Sequence, residues 1–397
     1  MNQAFKHAIP IISTLEKHGH EALFVGGSVR DYLMDREIGD IDIATSAFPK
    51  QIQALFPKTI DVGAEHGTII VVEEENTYEV TTFRADGTYS DKRRPDVVTF
   101  VTNLEEDLKR RDFTMNAIAM TKDGTIIDPY SGKDAIKGKL IQTVGEASER
   151  FHEDALRMLR ALRFSSQLSF SIHQDTFQAV KDYAHFLQDV SVERKTVEFE
   201  KLLKGQGLNS SLHLLVESGI YRYLPFLENK KDELLKLSIL SPTVVNEREL
   251  LWTAIAYILQ IKDVEAFLDA WKLPKKLSKA VKDNIFVINR FLKEDWHQAL
   301  IYHAGWKSTI AAHQVLVLVE MDKPESYLYI KQLYDKLPIY SLRDIELNGN
   351  DLVECLNRKP GKWIAEVLQE IEQEILLGSL VNEASVLKEW VRSWQQK

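Results

Sequence analysis

The spacing of apolar positions changes character once along this chain, near residue 146. Before that point, short β-branched and aromatic runs alternate with helical ones. Residues 22–25, 41–44, 68–72, 78–83, 97–101 and 125–127 read as strands, with 73–76 a polar turn. Helical spacing covers 29–34, 49–56 and 104–109, and the first twenty residues carry an amphipathic helix pattern. Beyond residue 146, strand signals vanish and a 3.6-residue period runs to the end. It is punctuated at Gly205-Gln206-Gly207, Ser241-Pro242, Leu273-Pro274, Leu337-Pro338 and Lys359-Pro360-Gly361. The predicted fold class is α+β: a head with a small mixed sheet, then an all-α remainder.

Composition narrows the picture without naming a function. A chain of 397 residues has room for two or more domains, and its 44% hydrophobic and 27% charged residues are those of a soluble globular protein. The single cysteine, Cys355, excludes an internal disulfide and a Cys-rich zinc site, and fits a reducing compartment. The N-terminus lacks the charged start, apolar run and cleavage site of a signal peptide. The most apolar stretch, 250–261, is shorter than the ~20 residues a bilayer requires, so a buried helix and a cytoplasmic protein are expected. Net charge is −9, which disfavours indiscriminate nucleic-acid binding. Basic residues nevertheless cluster at Lys92-Arg93-Arg94, Lys109-Arg110-Arg111 and Arg157, Arg160 and Arg163, consistent with a basic cleft on an acidic body.

Residues 23–45, LFVGGSVRDYLMDREIGDIDIAT, hold the first chemistry. A strand ends in Gly26-Gly27-Ser28 and a helix starts at once, so backbone N–H groups face an anion that glycine lets approach. Arg30 opposes the helix dipole in that first turn, which makes sense beside a phosphate. Asp40-Ile41-Asp42 opens the next strand, where alternation puts both carboxylates on one face and Ile41 and Ile43 in the core. Adjacent carboxylates repel unless a cation neutralises them, and Mg²⁺ suits oxygen ligands shared with substrate phosphates. A glycine turn or an Asp-x-Asp alone is usually an ordinary connection. Together, in strand–turn–helix–strand order, they resemble the polymerase-β-like nucleotidyltransferases. The fuller string resembles the bacterial and eukaryotic CCA-adding enzymes and bacterial poly(A) polymerase. That superfamily implies a third carboxylate on a neighbouring strand, for which Glu79 is placed.

Two arginine-rich strings extend the resemblance. Residues 105–117, EEDLKRRDFTMNA, match the family's RRDFTxNA signature, which implies that Arg111 holds the triphosphate while Asp112 and Asn116 shape the ribose pocket or brace Arg111. Residues 153–164, EDALRMLRALRF, read as one helix with Asp154, Arg157 and Arg160 on a shared face and Arg163 at its edge. A carboxylate beside a guanidinium fork can imitate a Watson–Crick edge for C or A, leaving buried groups unpaired against U or G. The family uses Asp154 and Arg157 as that protein template, with Glu153 in support and Arg160 and Arg163 as further nucleotide contacts. A simple ion-paired helix is the plainer alternative.

Other matches are slighter. Residues 84–95 resemble the loop needed to switch from C to A addition, and Asp128-Pro129-Tyr130-Ser131-Gly132 a head-to-neck motif. Residues 193–203 resemble the fifth motif, with Lys195 where an apolar residue is usual, which puts that helix's packing in question. No adjacent His-Asp pair marks a phosphohydrolase domain. The resemblance implies a head at 1–145, a base-selecting neck at 146–204, a body at 205–270 and a tRNA-binding tail at 271–397. Its nucleotide-binding residues would be Gly27, Arg30, Arg111, Asp154, Arg157, Arg160 and Arg163, with Asp40 and Asp42 catalytic and metal-binding. The implied substrates are tRNA, CTP and ATP, the cofactor Mg²⁺, and the assembly a homodimer. A-adding, CC-adding or poly(A) activity on the same head, or a catalytically silent RNA-binding protein, are the alternatives.

Overall fold

The structure, a computed structural model, describes residues 3–86 and 98–394. Helix α1 (Gln3–Lys17) buries Phe5, Ala8, Ile11, Ile12 and Leu15, spaced three and four apart along one stripe. It covers a seven-stranded sheet made by β1 (Ala22–Val25), β2 (Asp42–Thr45), β3 (Thr59–Gly63), β4 (Thr68–Glu73), β5 (Asn76–Thr82), β8 (Ala119–Met120) and β9 (Ile126–Ile127). Strand order is β3-β4-β5-β2-β1-β8-β9, antiparallel throughout except that β2 runs parallel to β5. Helices α2 (Gly27–Leu33) and α3 (Pro49–Leu55) join α1 on the face built from Phe24, Ile43, Ile69, Val71 and Val80. A separate two-stranded ribbon pairs β6 (Arg84–Asp86) with β7 (Val98–Phe100), and α4 (Leu104–Lys109) packs Leu104 and Leu108 on Leu23, Val25 and Ala44.

The mixed head is as expected, with differences at its margins. Strand β3 had no apolar signature because it is a sheet edge, mostly exposed on both faces and bulged between Asp61 and Gly63. Strand β2 begins at Asp42, so Asp40 lies before it, exposed, while Ile41 and Ile43 enter the core as alternation requires. Most of the loop at 84–95, including Lys92-Arg93-Arg94, falls outside the described residues.

Helix α5 (Gly132–Lys137) explains the Asp128–Gly132 motif. The Asp128 carboxylate accepts the Gly132 and Lys133 amides, closing the helix start. A side chain at Gly132 would meet the Thr114 carbonyl at 2.3 Å, so glycine is what lets α5 seat against the turn carrying Asn116.

Past residue 146 the chain is helical with one correction. Strand β11 (Ser171–Ile172) pairs in parallel with β10 (Leu140–Ile141), two residues each and too short for any periodicity. Helices α6 (Ala147–Glu153), α7 (Leu156–Leu168), α8 (Gln174–Tyr183), α9 (Val192–Leu203) and α10 (Leu208–Glu217) follow. Helix α7 is buried on nearly every side, and Lys195 of α9 is buried too. The Lys195 ammonium donates to the Leu187 and Tyr223 carbonyls at 3.1 Å each, which satisfies it inside the packing. Burial pushes its pKa down.

The chain divides into two compact units, Met1–Ser238 with Ala270–Lys272, and Ile239–Asp269 with Leu273–Lys397. In the second, residues 250–258 of the apolar stretch lie in the largely buried helix Arg248–Ile258, which ends before Leu259, and a further core gathers Leu352, Trp363, Val367, Ile371, Leu387 and Val391. No helix among the described residues is long and apolar enough to cross a membrane.

Candidate active site

The reacting end of the head is assembled by strand pairing. In register, Val25 faces Asp42 across β1–β2, and Asp42 faces Glu79 across β2–β5, which brings the third carboxylate beside the second. Burial, then the neighbouring Glu79, push the Asp42 carboxyl up to about 6; Arg111 opposes this and Asp40 adds to it. Gly26 turns between β1 and α2 at φ 73°, and a Cβ there would sit 2.9 Å from Arg111 Nη1 and 3.6 Å from Asp42 Oδ2. The glycine turn thus keeps the space where Arg111 and Asp42 meet. The donors fit a hard dication: oxygen-only, mutually repelling, and with one carboxyl raised into a range that a cation would reverse. Among the described residues no three His, Cys, Asp or Glu side chains form a complete cage, so a bound ion would share these carboxylates with other oxygen ligands.

A chain of ion pairs fixes the arginines. Asp107, fully buried, receives Arg110 at 2.7 Å and Arg111 at 3.1 Å; burial opposes its ionisation, but the two guanidiniums win and hold it below the usual carboxylate range. Asp112 accepts Arg160 at 2.5 and 2.8 Å and the Asn116 amide at 3.1 Å. Burial works against this carboxylate as well, yet Arg160, then Asn116, hold it well below its ordinary value. Asn116 in turn accepts Arg30 at 2.6 Å, and Arg30 also grips Asp31 at 2.9 Å. Arg30 is therefore a buried strut under the glycine turn as much as a cation in the site.

The neck departs from the single helix expected over 153–164. Helices α6 and α7 are separate, broken at Asp154 and Ala155, with Asp154 extended at φ −144°. The Asp154 carboxylate accepts the Leu156 amide at 3.1 Å and Arg194 of α9 at 2.7 and 3.2 Å. Arg157, the second residue of α7, bonds Glu153 and reaches the Arg110 carbonyl at 2.8 Å. Arg160 and Arg163 share Glu198, at 3.6 and 3.2 Å, and both stack on Phe164, Arg163 most closely at 4.0 Å. Burial pulls the Arg163 pKa down to about 10, against the pull of Glu198. For Arg160, burial lowers the pKa, but Asp112 and Glu198 outweigh it and the net shift is upward.

All nine residues expected from the sequence line one cleft of ≈740 Å³, with eight arginine or lysine and five aspartate side chains in its wall. Sequence reasoning passed over Phe164, Arg194 and Lys201 as cleft residues, and Glu198 behind them, while Arg110 entered it only as part of a basic cluster. Arg194, Glu198 and Lys201 lie at helical spacing within the 193–203 motif, so the signal was present but carried no indication of which face it served.

Three family models match the chain: "Poly A polymerase head domain" over residues 22–142, "Probable RNA and SrmB- binding site of polymerase A" over 169–231, and "tRNA nucleotidyltransferase domain 2 putative" over 244–391. A CCA-adding enzyme of Anoxybacillus flavithermus is 46% identical over 100% of this chain and 99% of its own length. One from Bacillus cereus is 44% identical over 98% of each. The solved Bacillus stearothermophilus CCA-adding enzyme in complex with CTP superposes with a TM-score of 0.91 at 41% identity, covering 100% of this chain and 98% of that one. Near-complete coverage at such identity, on a cleft built of carboxylates and arginines, leaves one conclusion: the chain belongs to the family of CCA-adding enzymes.

Proposed function

We propose that this protein adds C, C and A in turn to the 3′ end of tRNA, taking CTP and ATP, releasing pyrophosphate and using its own side chains as template. The observation that carries this is the convergence of Asp40 and Asp42, Arg111, and the Asp154–Arg157 pair on one cleft. Mg²⁺, held by Asp40 and Asp42, would neutralise the carboxylates and polarise the phosphate and the attacking hydroxyl. Arg111 and the amides at Gly27 and its neighbours meet the triphosphate, and Arg30 braces the turn that presents them. The RNA 3′-oxygen bonds to the α-phosphorus as the bond to the β-phosphate breaks, and the arginines stabilise the charge that builds on the departing pyrophosphate. At the base, Asp154 accepts the exocyclic amine shared by C and A, and Arg157 donates to the adjacent ring nitrogen. Asp112, held ionised by Arg160, places Asn116 and Arg160 beside the sugar. We take 1–145 as catalytic head and 146–204 as base-selecting neck, with body 205–270 and tail 271–397 gripping the tRNA, in the cytoplasm.

The test is direct. tRNA ending at the discriminator base is incubated with Mg²⁺ and with CTP and ATP, singly and mixed, and the 3′ ends are sequenced. Defined CCA is expected; CC alone, A alone or long A tails would assign one of the sister activities. Chelation should abolish incorporation and Mg²⁺ restore it, and Asp42→Ala should lower kcat by at least about 10²-fold. Incorporation surviving Asp42→Ala would remove the metal assignment.

A further inference from the structure

A second, smaller recess of ≈220 Å³ opens from Asp42 over the sheet. It shares only Asp42, Arg110 and Arg111 with the nucleotide cleft, so Asp42 stands at the junction of the two. Its remaining walls are Val25, Ile43, Thr68, Glu79, Thr81 and Arg84. Alternation explains the direction of the polar walls: Ile69 and Val80 bury in the helix-covered core, which turns Thr68, Glu79 and Thr81 to the opposite face. Thr68 and Thr81 are partners in the β4–β5 register, half-buried, with their hydroxyl oxygens 3.1 Å apart.

Two considerations assign this recess. In phosphoryl transfer the attacking and leaving oxygens lie roughly in line across the phosphorus. With the triphosphate among the arginines of the large cleft, the attacking hydroxyl comes from the other side of Asp42. The second is hydrogen-bond inventory. Two mutually bonded hydroxyls spend one proton between them, which leaves one proton and several lone pairs to offer. That set is complementary to another hydroxyl, which both donates and accepts. Arg84 and Arg110 in the wall bring positive charge suited to a phosphodiester.

We propose that this recess seats the ribose of the RNA's 3′-terminal nucleotide, and that Thr68 and Thr81 read its 2′-hydroxyl, the group that separates RNA from DNA. The inference rests on the nucleotidyl-transfer reading above and adds to it a subsite and a sugar preference. The competing reading is that the threonine pair only ties two strands together, as cross-strand threonines often do.

The experiment compares tRNA lacking CCA whose last nucleotide carries either a 2′-hydroxyl or a 2′-hydrogen, scored by kcat and KM for the first C added. The native chain should favour the ribose terminus by roughly five- to ten-fold, the value of a hydrogen bond or two. Thr68→Val with Thr81→Val keeps shape and β-branching while deleting both hydroxyls. The double variant should raise KM for the RNA, leave KM for CTP unchanged, and treat the two termini alike. If melting shows that it does not fold, each single variant carries the same comparison. Equal use of both termini by the native chain, preference retained in the variants, or a change confined to CTP would each overturn the assignment. No addition by the native chain even to the ribose terminus would refute nucleotidyl transfer itself, a different failure from addition without sugar preference.

Discussion

At the scale of single residues, the site is governed by how little room is left. Gly26 combines a left-handed φ of 73° with Arg111 Nη1 2.9 Å from where a Cβ would stand. Gly26→Ala should therefore cost ~1 kcal/mol of strain and displace Arg111, lowering kcat/KM for CTP by at least about 10-fold while the fold persists. Steady-state kinetics beside thermal melting separates the two effects. Asp112 yields a pH prediction. Its folded pKa lies below the ordinary carboxylate value, so its stabilisation is complete above that value, about 4, and is lost as pH falls below it. Asp112→Asn should be less stable by about 3 kcal/mol at pH 7, since it leaves Arg160 only the longer contact to Glu198 that Arg163 shares, and the gap to the native chain should close as pH is taken to 3 and below in urea titrations.

At the scale of elements, the break between α6 and α7 shows what a sequence can and cannot disclose. Strands β1, β2, β4, β5, β7 and β9 of the head were legible as apolar or β-branched runs, whereas the exposed edge β3 and the short β6 and β8 were not, and Leu104–Lys109 was legible to the residue. The neck motif was legible as chemistry, since Asp154, Arg157, Arg160 and Arg163 all line the cleft. Its geometry was not, because the period of three runs straight through Asp154, whose carboxylate instead accepts the Leu156 amide where α7 starts. Arg194, forty residues away, also holds that carboxylate, a contact no local pattern discloses. Long-range ion pairs leave no periodicity, and two-residue strands such as β10 and β11 leave none either. The element-level prediction follows from the same contact. Arg194→Ala should release Asp154 and reduce discrimination of CTP over UTP by roughly ten-fold or more, read as the ratio of kcat/KM values, with incorporation itself surviving.

For the molecule as a whole, a chain of net charge −9 carries a cleft with eight cations to five aspartates. Repulsion from the body and attraction at the cleft make RNA capture local, and sensitive to salt. Raising monovalent salt from about 50 to 200 mM should increase KM for tRNA several-fold while kcat at saturating tRNA changes little. One cleft must also serve three successive additions with two different bases, and the valence of Asp154 bears on how. A carboxylate offers about four acceptor directions. Three are engaged by Leu156 and the two Arg194 nitrogens. What remains is a single vacancy, a socket for one N–H and no more. Cytosine and adenine each carry one exocyclic amine on their pairing edge, so under the proposed reading the one opening on Asp154 would serve both bases.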